Sequence, residues 1–297
     1  MTNEEKIISF YEDMANQFQK DPENARIFFT EAITLLLTNP ASERNVKILE
    51  ILLHTSLVYK TDEMGEKCSS PFEALDTSCY MELLKDKLVI QEAILIGNLN
   101  NQIHSQQVNT TTPFVNAKDP EIVKCCKTLY GLDKIIRTGW IKRNVQQNYQ
   151  ESDIIHTVQM FALACAYSYL YHPKLNLLRI YEMILIHEVG EILIGDITEG
   201  TKECLTKHEL ERKAVVEIFG PLKNADYYIG LWDEFEDRET EEAQFVYDLD
   251  KLDPILKAKY LDAQLDRNDL FSDFYSYEEN RHTFDQSLLK SLFNSLK

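Results

Sequence analysis

Apolar residues return every three or four positions through most of this chain, and no segment reads as a convincing strand or an internal repeat. That spacing belongs to helices that each bury one face. Punctuation agrees. The 297 residues include only 9 Gly and 8 Pro, few for the tight turns that a strand-rich domain needs. The expected fold class is all-α. An apolar share of 44% allows a sizeable core, and the length suits one large domain or two ordinary ones.

Helix boundaries follow from local chemistry. Thr2 and Glu5 form a T-x-x-E capping box, which predicts a helix to about Lys20. Further helices are expected at about 22–37, where Asn39-Pro40 stops the run, at 43–58 and at 80–99. Asp119-Pro120-Glu121 places an Asp N-cap before a Pro in the first turn. It opens a helix to about 134. Later helices are expected at about 151–171, 177–194, 203–219, 221–236, 240–264 and 283–296. The polar stretch from Ser105 to Ala117 lacks periodicity and reads as a loop or linker. It divides a helical region, 1–117, from a second unit, 118–297.

Charge narrows the function. A formal net charge of -18 repels nucleic acid, whose binders neutralise phosphates with Lys and Arg. A small phosphorylated molecule is still admissible, because a metal and one or two Arg in a pocket can outweigh the overall field. The six cysteines form no CxxC pair. Cys165 reads as a core residue, and a bond between the adjacent Cys125 and Cys126 would be strained. MTNEEKIISF is acidic and amphipathic, unlike a leader. No apolar run is long enough to span a membrane. A cytoplasmic location is the expectation.

Three segments carry chemistry. On the helix at 151–171, His156 shares a face with Met160, Leu163, Tyr167 and Leu170. A buried His with one hydrogen bond has that pattern too. On the segment 177–194, Ile180, Met183, His187, Glu191 and Ile194 share a face. A carboxylate on so apolar a stripe needs compensation by a metal or a water, or an upward pKa shift. Glu188 lies a quarter-turn from His187 and could reach the same ion. Gly190 permits a close helix approach, Gly195 suits a helix end, and Asp196 follows it. On the helix at 240–264, Asp253 falls inside the apolar side, while Asp248 and Asp250 flank it on opposite edges. Periodicity alone leaves open which of those two turns inward.

In combination, His156, then His187 with an acidic neighbour, then a late Asp resemble the H…HD…D order of the HD superfamily. Several further segments resemble its 5′-deoxynucleotidase branch, including the HD-domain-containing protein 2 group. These are Arg137-Thr138-Gly139-Trp140 before Arg143-Asn144-Val145, Glu151-Ser152 before His156, HEVGEILIGDI at 187–197, LWDEFE at 231–236 and FVYDLDKLD at 245–253. The resemblance covers about 128–265. It implies an HD-domain helical bundle with an additional N-terminal helical region. It also implies one divalent ion (Mn, Co, Mg, Zn or Fe) on His156, His187, Glu188 and Asp250. Glu191 and Asp196 would be catalytic, and Arg137, Trp140 and Arg143 would contact a nucleotide substrate. A homodimer is implied as well. The implied reaction is hydrolysis of a nucleoside 5′-monophosphate, with the ion lowering the pKa of its water.

The match departs at two places. Glu188 stands where the family has Asp and is one methylene longer. Ile155 stands where an acidic residue usually precedes the first His, so a partner for that His is missing. Two alternatives follow. The substrate could be another nucleotide (a triphosphate, a cyclic nucleotide or an alarmone). Or the scaffold could be weakened in catalysis and act as a regulator that binds a nucleotide or a protein.

Overall fold

A computed structural model describes residues 1–57, 71–75, 85–105, 119–197, 207–281, 284 and 287–297. The described residues are helical, and their only β contact is an isolated antiparallel bridge between Ile136 and Ser152. None of their helices is long and apolar enough to cross a membrane. Cys68, Cys79 and Cys204 lie outside the described residues. So do most of the expected linker at 105–117 and the boundary after 117.

The first three helices are α1 (Asn3–Lys20), α2 (Glu23–Thr38) and α3 (Arg44–Leu57). The capping box opens α1: Glu5 N donates to the Thr2 hydroxyl at 3.1 Å, and Thr2 N donates to the Glu5 carboxylate at 2.8 Å. Helix α4 (Lys87–Ser105) runs past the expected stop at Leu99. Asn100 supports this continuation, because its amide donates to the Thr30 hydroxyl of α2 at 2.9 Å. Then come α5 (Pro120–Leu129), a 3₁₀ turn at Tyr130–Lys134, and the short α6 (Thr138–Lys142). Asp119 caps α5, its carboxylate accepting from Glu121 N at 2.9 Å.

The remaining helices are α7 (Asp153–Tyr171), α8 (Leu177–Ile186), α9 (Glu191–Ile194), α10 (Lys207–Phe219), α11 (Ala225–Asp237), α12 (Glu241–Leu265), α13 (Leu270–Arg281) and α14 (Lys290–Ser295). The expected single helix at 177–194 is a correction. Its hydrogen bonding breaks after Ile186, and three-residue spacings take over, with Val189 N on Ile186 O, Glu191 N on Glu188 O and Ile192 N on Val189 O. Such a turn advances about 120° per residue rather than about 100°. It therefore carries Glu191 off the line of His187. Gly190 allows this path. A Cβ there would lie 2.6 Å from Glu211 Cβ of α10.

Two terminal features also differ from expectation. Helix α13 has a borrowed cap, because the Asp262 carboxylate, eight residues earlier, accepts from Leu270 N and Phe271 N. Within the segment expected as one helix at 283–296, the described residues form an α-helix at Lys290–Ser295. Ser287 Oγ accepts from Leu289 N just before it.

Helix α7 sits at the centre. From Asp153 to Ser168 every residue is buried, so it is enclosed on all sides rather than along one stripe. Helices α1, α2, α8 and α12 pack around it. Phe28 of α2 meets Phe161 of α7 edge-on at 4.9 Å. The N-terminal helices thus share one continuous apolar core with α7 and α12.

Candidate metal centre

The site forms where α7, α8 and α12 converge. His156 is in the first turn of α7, His187 and Glu188 follow the end of α8, and Asp250 is on α12. One ligand atom from each of these four lies within 4.8 Å of the others. His156 Nε2 is 3.1 Å from Asp250 Oδ1 and 3.7 Å from Glu188 Oε1. His187 Nε2 is 3.5 Å from Glu188 Oε1. The structure brings together all four expected ligands, and it turns Asp250, not Asp248, toward His156.

The ring nitrogens favour a cation. His187 Nδ1 lies 2.7 Å from the Ile184 carbonyl, which can only accept, so Nδ1 carries the proton. In the neutral ring its Nε2 is then a bare lone pair. That atom is buried and has no hydrogen-bond partner among the described residues. A buried orphan acceptor costs free energy unless something binds it. On His156, Nδ1 is 2.7 Å from Asp253 Oδ2, which leaves Nε2 facing Asp250 and Glu188. A carboxylate or carbonyl on the second nitrogen is the usual way to aim a metal-binding imidazole. Two imidazoles and two carboxylates suit Zn²⁺, Mn²⁺, Fe²⁺ or Co²⁺. The residues fit a divalent ion.

Arg137 answers the negative charge of the cluster. Two backbone bonds tie its segment beside the start of α7: Arg137 N to Glu151 O at 3.1 Å and Asp153 N to Ile135 O at 3.0 Å. The guanidinium then bonds Glu188 and lies 3.6 Å from Asp250 and 3.8 Å from Asp153. Burial works against the charge on Glu188, but His187 and Arg137 outweigh it and hold its pKa well below the usual range. Asp250 is also held low: Lys251, His156 and Arg137 overcome its burial. Asp153 behaves the other way. Burial, then the charge of Glu188, lifts it to about 8. His156 is lowered by burial and by Arg137, yet its bonds to Asp250 and Asp253 raise it to about 10.

Three of the four candidate ligands, His187, Glu188 and Asp250, line a cleft of about 600 Å³, within the range of small-molecule sites, and His156 is fully buried behind them. Glu191 also lines the cleft. Its Oε1 accepts from Lys207 Nζ at 2.8 Å, and its Oε2 is buried without a partner among the described residues. Burial and then the charge of Glu188 push its pKa up against the pull of Lys207. Asp196 Oδ2 accepts from Thr138 N at 2.6 Å and from the Thr138 hydroxyl at 2.9 Å. It thereby anchors the segment that carries Arg137. Arg143 reaches the cleft with its guanidinium 3.9 Å above the Phe274 ring and 2.5 Å from Asp273. Trp140 is a correction. It borders the cleft but is 1% exposed, packs against Phe274 with the rings tilted by 42°, and donates to Glu151 at 3.0 Å. Its ring is a core element that leaves little surface for the nucleotide contact implied by the resemblance.

Sequence reasoning missed Asp253, Asp153 and Lys207. Asp253 carried a signal, since it falls inside the apolar side of its helix. It also supplies the His156 partner that Ile155 does not. Ile155 is buried and borders a separate cavity of about 260 Å³ behind the site. Lys207 had no signal, because its partner Glu191 is reached only through the broken turn after α8.

Residues 131–287 match the model of the HD domain family. A 5′-deoxynucleotidase HDDC2 from Dictyostelium discoideum is 31% identical over 186 residues, covering 60% of this chain and 87% of the relative. The protein of that name from Danio rerio is 30% identical over 172 residues, covering 56% and 83%. A solved structure described as a predicted metal-dependent phosphohydrolase from Magnetospirillum magnetotacticum aligns with a TM-score of 0.43 at 28% identity. It covers 50% of this chain and 75% of that one.

Proposed function

From the premise that this chain belongs to the HD domain family, on its HDDC2-like branch, we propose that it is a metal-dependent phosphohydrolase. Its substrate on this reading is a nucleoside 5′-monophosphate, with deoxynucleotides first. The observation that carries the reading is the bare Nε2 of His187, buried beside Glu188, His156 and Asp250 at the floor of the cleft.

His156, His187, Glu188 and Asp250 would hold the ion, with Mn²⁺, Co²⁺, Mg²⁺, Zn²⁺ and Fe²⁺ the candidates. A divalent ion bound there supplies an acidified water and withdraws charge from phosphoryl oxygens. The protein's own groups do the rest. Arg137 has a planar fork suited to a phosphate, and Glu188 holds it toward the cleft. Asp196, through Thr138, fixes the segment that presents it. Glu191 has a raised pKa, so it carries a proton at neutral pH that it can pass to the departing alcohol oxygen. Arg143 stands at the cleft wall, where it can meet the nucleotide.

The test is a substrate panel on purified protein with each metal in turn. Deoxynucleoside monophosphates should yield inorganic phosphate and nucleoside. Pyrophosphate or triphosphate release, or opening of a cyclic nucleotide, would point instead to another HD substrate. Nucleotide binding without any product would point to a regulator. If no phosphate appears from any monophosphate and His187→Ala leaves bound metal unchanged, the proposal is wrong.

A further inference from the structure

A line of hydrogen bonds runs from the N-terminal helix to the candidate metal centre. Tyr11 of α1 is fully buried. Its hydroxyl has three acceptors in reach: Asp253 Oδ1 at 2.7 Å, the Asp253 carbonyl at 3.2 Å and Gln159 Oε1 at 3.2 Å. A phenol has one proton to give, and the shortest contact is the Asp253 carboxylate. The other oxygen of that carboxylate, Oδ2, meets His156 Nδ1 at 2.7 Å. Both oxygens of a fully buried Asp are thus occupied, one by a ring of the site and one by a residue 242 positions away.

We propose that Tyr11 is a positioning residue for His156, acting through Asp253, and that the N-terminal helical region therefore completes the metal centre. This rests on the metal-ligand reading of His156 given above. The physical reason is rotation. A carboxylate held by one bond can turn about its Cβ–Cγ axis, whereas one held at both oxygens cannot. With Asp253 fixed, the His156 ring is fixed, and Nε2 points at Glu188 and Asp250. Gln159 backs the arrangement from the same helix as His156. Its amide donates to Glu151 at 2.7 Å, leaving its oxygen toward Tyr11. Residues 1–57 lie outside the segment matched by the family model, 131–287. The support is therefore a feature of this chain's own extension.

The experiment uses the full chain, stripped of metal and titrated with Co²⁺. Affinity is read by competition with a chelating indicator, and ligand geometry by the visible absorption of the bound ion. Tyr11→Phe keeps the ring and removes one oxygen. It should bind Co²⁺ roughly threefold to tenfold more weakly, less than the about 10–100-fold typical of a group that touches a ligand directly. Its spectrum should shift. Tyr228→Phe, which removes a buried hydroxyl bonded to the Leu36 carbonyl, controls for packing and should change neither. Asp253→Asn should weaken binding more than Tyr11→Phe, and adding Tyr11→Phe to it should cost nothing further. The proposal is overturned if Tyr11→Phe matches wild type in affinity and spectrum, or if the two effects multiply in full. A His156→Ala variant separates the two levels of inference. If it binds Co²⁺ as wild type does, the metal-centre reading falls and takes this proposal with it. If it loses Co²⁺ while Tyr11→Phe does not, only the Tyr11 proposal falls.

Discussion

Glu191 and Glu188 are three residues apart and do opposite things. Glu188 lies among His187, Arg137 and His156 and is held ionised. Among the described residues Glu191 has one cationic partner, Lys207, and one oxygen with no partner, and burial and the charge of Glu188 favour its proton. On the proposed reading, this difference separates ligand from proton carrier. Glu191→Gln should retain its metal by elemental analysis and lose turnover by about 10²–10⁴, the usual contribution of a general acid or base. A variant with turnover within threefold of wild type would remove Glu191 from the chemistry. The ionisable residues were legible because each interrupts an apolar stripe, where a charge is costly. Asp250 was legible only through the family pattern, since Asp248 sits equally near the edge of the stripe. Tyr11 was not legible at all. A tyrosine at helical spacing on an amphipathic helix looks like any core tyrosine until the chain folds and its hydroxyl finds Asp253.

At the scale of elements, the turn after α8 shapes the site. Had α8 run on unbroken, His187 and Glu191 would share one line. The tighter turn puts Glu188 beside His187 and sends Glu191 toward Lys207. Gly190 makes room for α10 against this turn. Gly190→Ala would place a methyl 2.6 Å from Glu211 Cβ and 3.0 Å from its backbone Cα. Rotation of the glutamate side chain cannot relieve contacts with those two atoms. The expected cost is about 1–3 kcal/mol, as for overpacking elsewhere, measured as a lower midpoint in thermal unfolding. An unchanged midpoint would mean that α10 can retreat without loss. Helices with their own caps, such as α1 and α5, were readable to within a residue or two at their starts. Helix α13 was invisible because its cap, Asp262, belongs to the preceding helix. The long reading at 177–194 failed because periodicity reports which residues are apolar, not the hydrogen-bond spacing of a glycine-containing turn.

For the whole molecule, the shared core is the governing fact. Helices α1 and α2 cover α7, and α1 also packs on α12, so removing residues 1–57 would expose faces now completely buried. Full-length protein should therefore unfold in one calorimetric transition. A saturating divalent ion at 100 times its Kd should stabilise that transition by about 2.7 kcal/mol. A chain beginning at residue 58 should show no cooperative transition with or without the ion. A truncated chain that unfolds sharply and still gains stability from metal would show that the core divides. All-α architecture was legible from spacing and from scarce Gly and Pro. The merging of the two regions was not, because an amphipathic face does not name its partner.

The Tyr11–Asp253 contact also sets an order of events in time. Residue 11 leaves the ribosome well before its acceptor, which is 242 residues behind it. At about 5–20 residues per second, α1 waits on the order of 10–50 s before the group it must bond even exists. Throughout that interval the apolar face of α1, with Ile7, Phe10 and Met14, lacks α12 to cover it, which makes nascent chains of this protein natural clients for whatever shields such faces during synthesis.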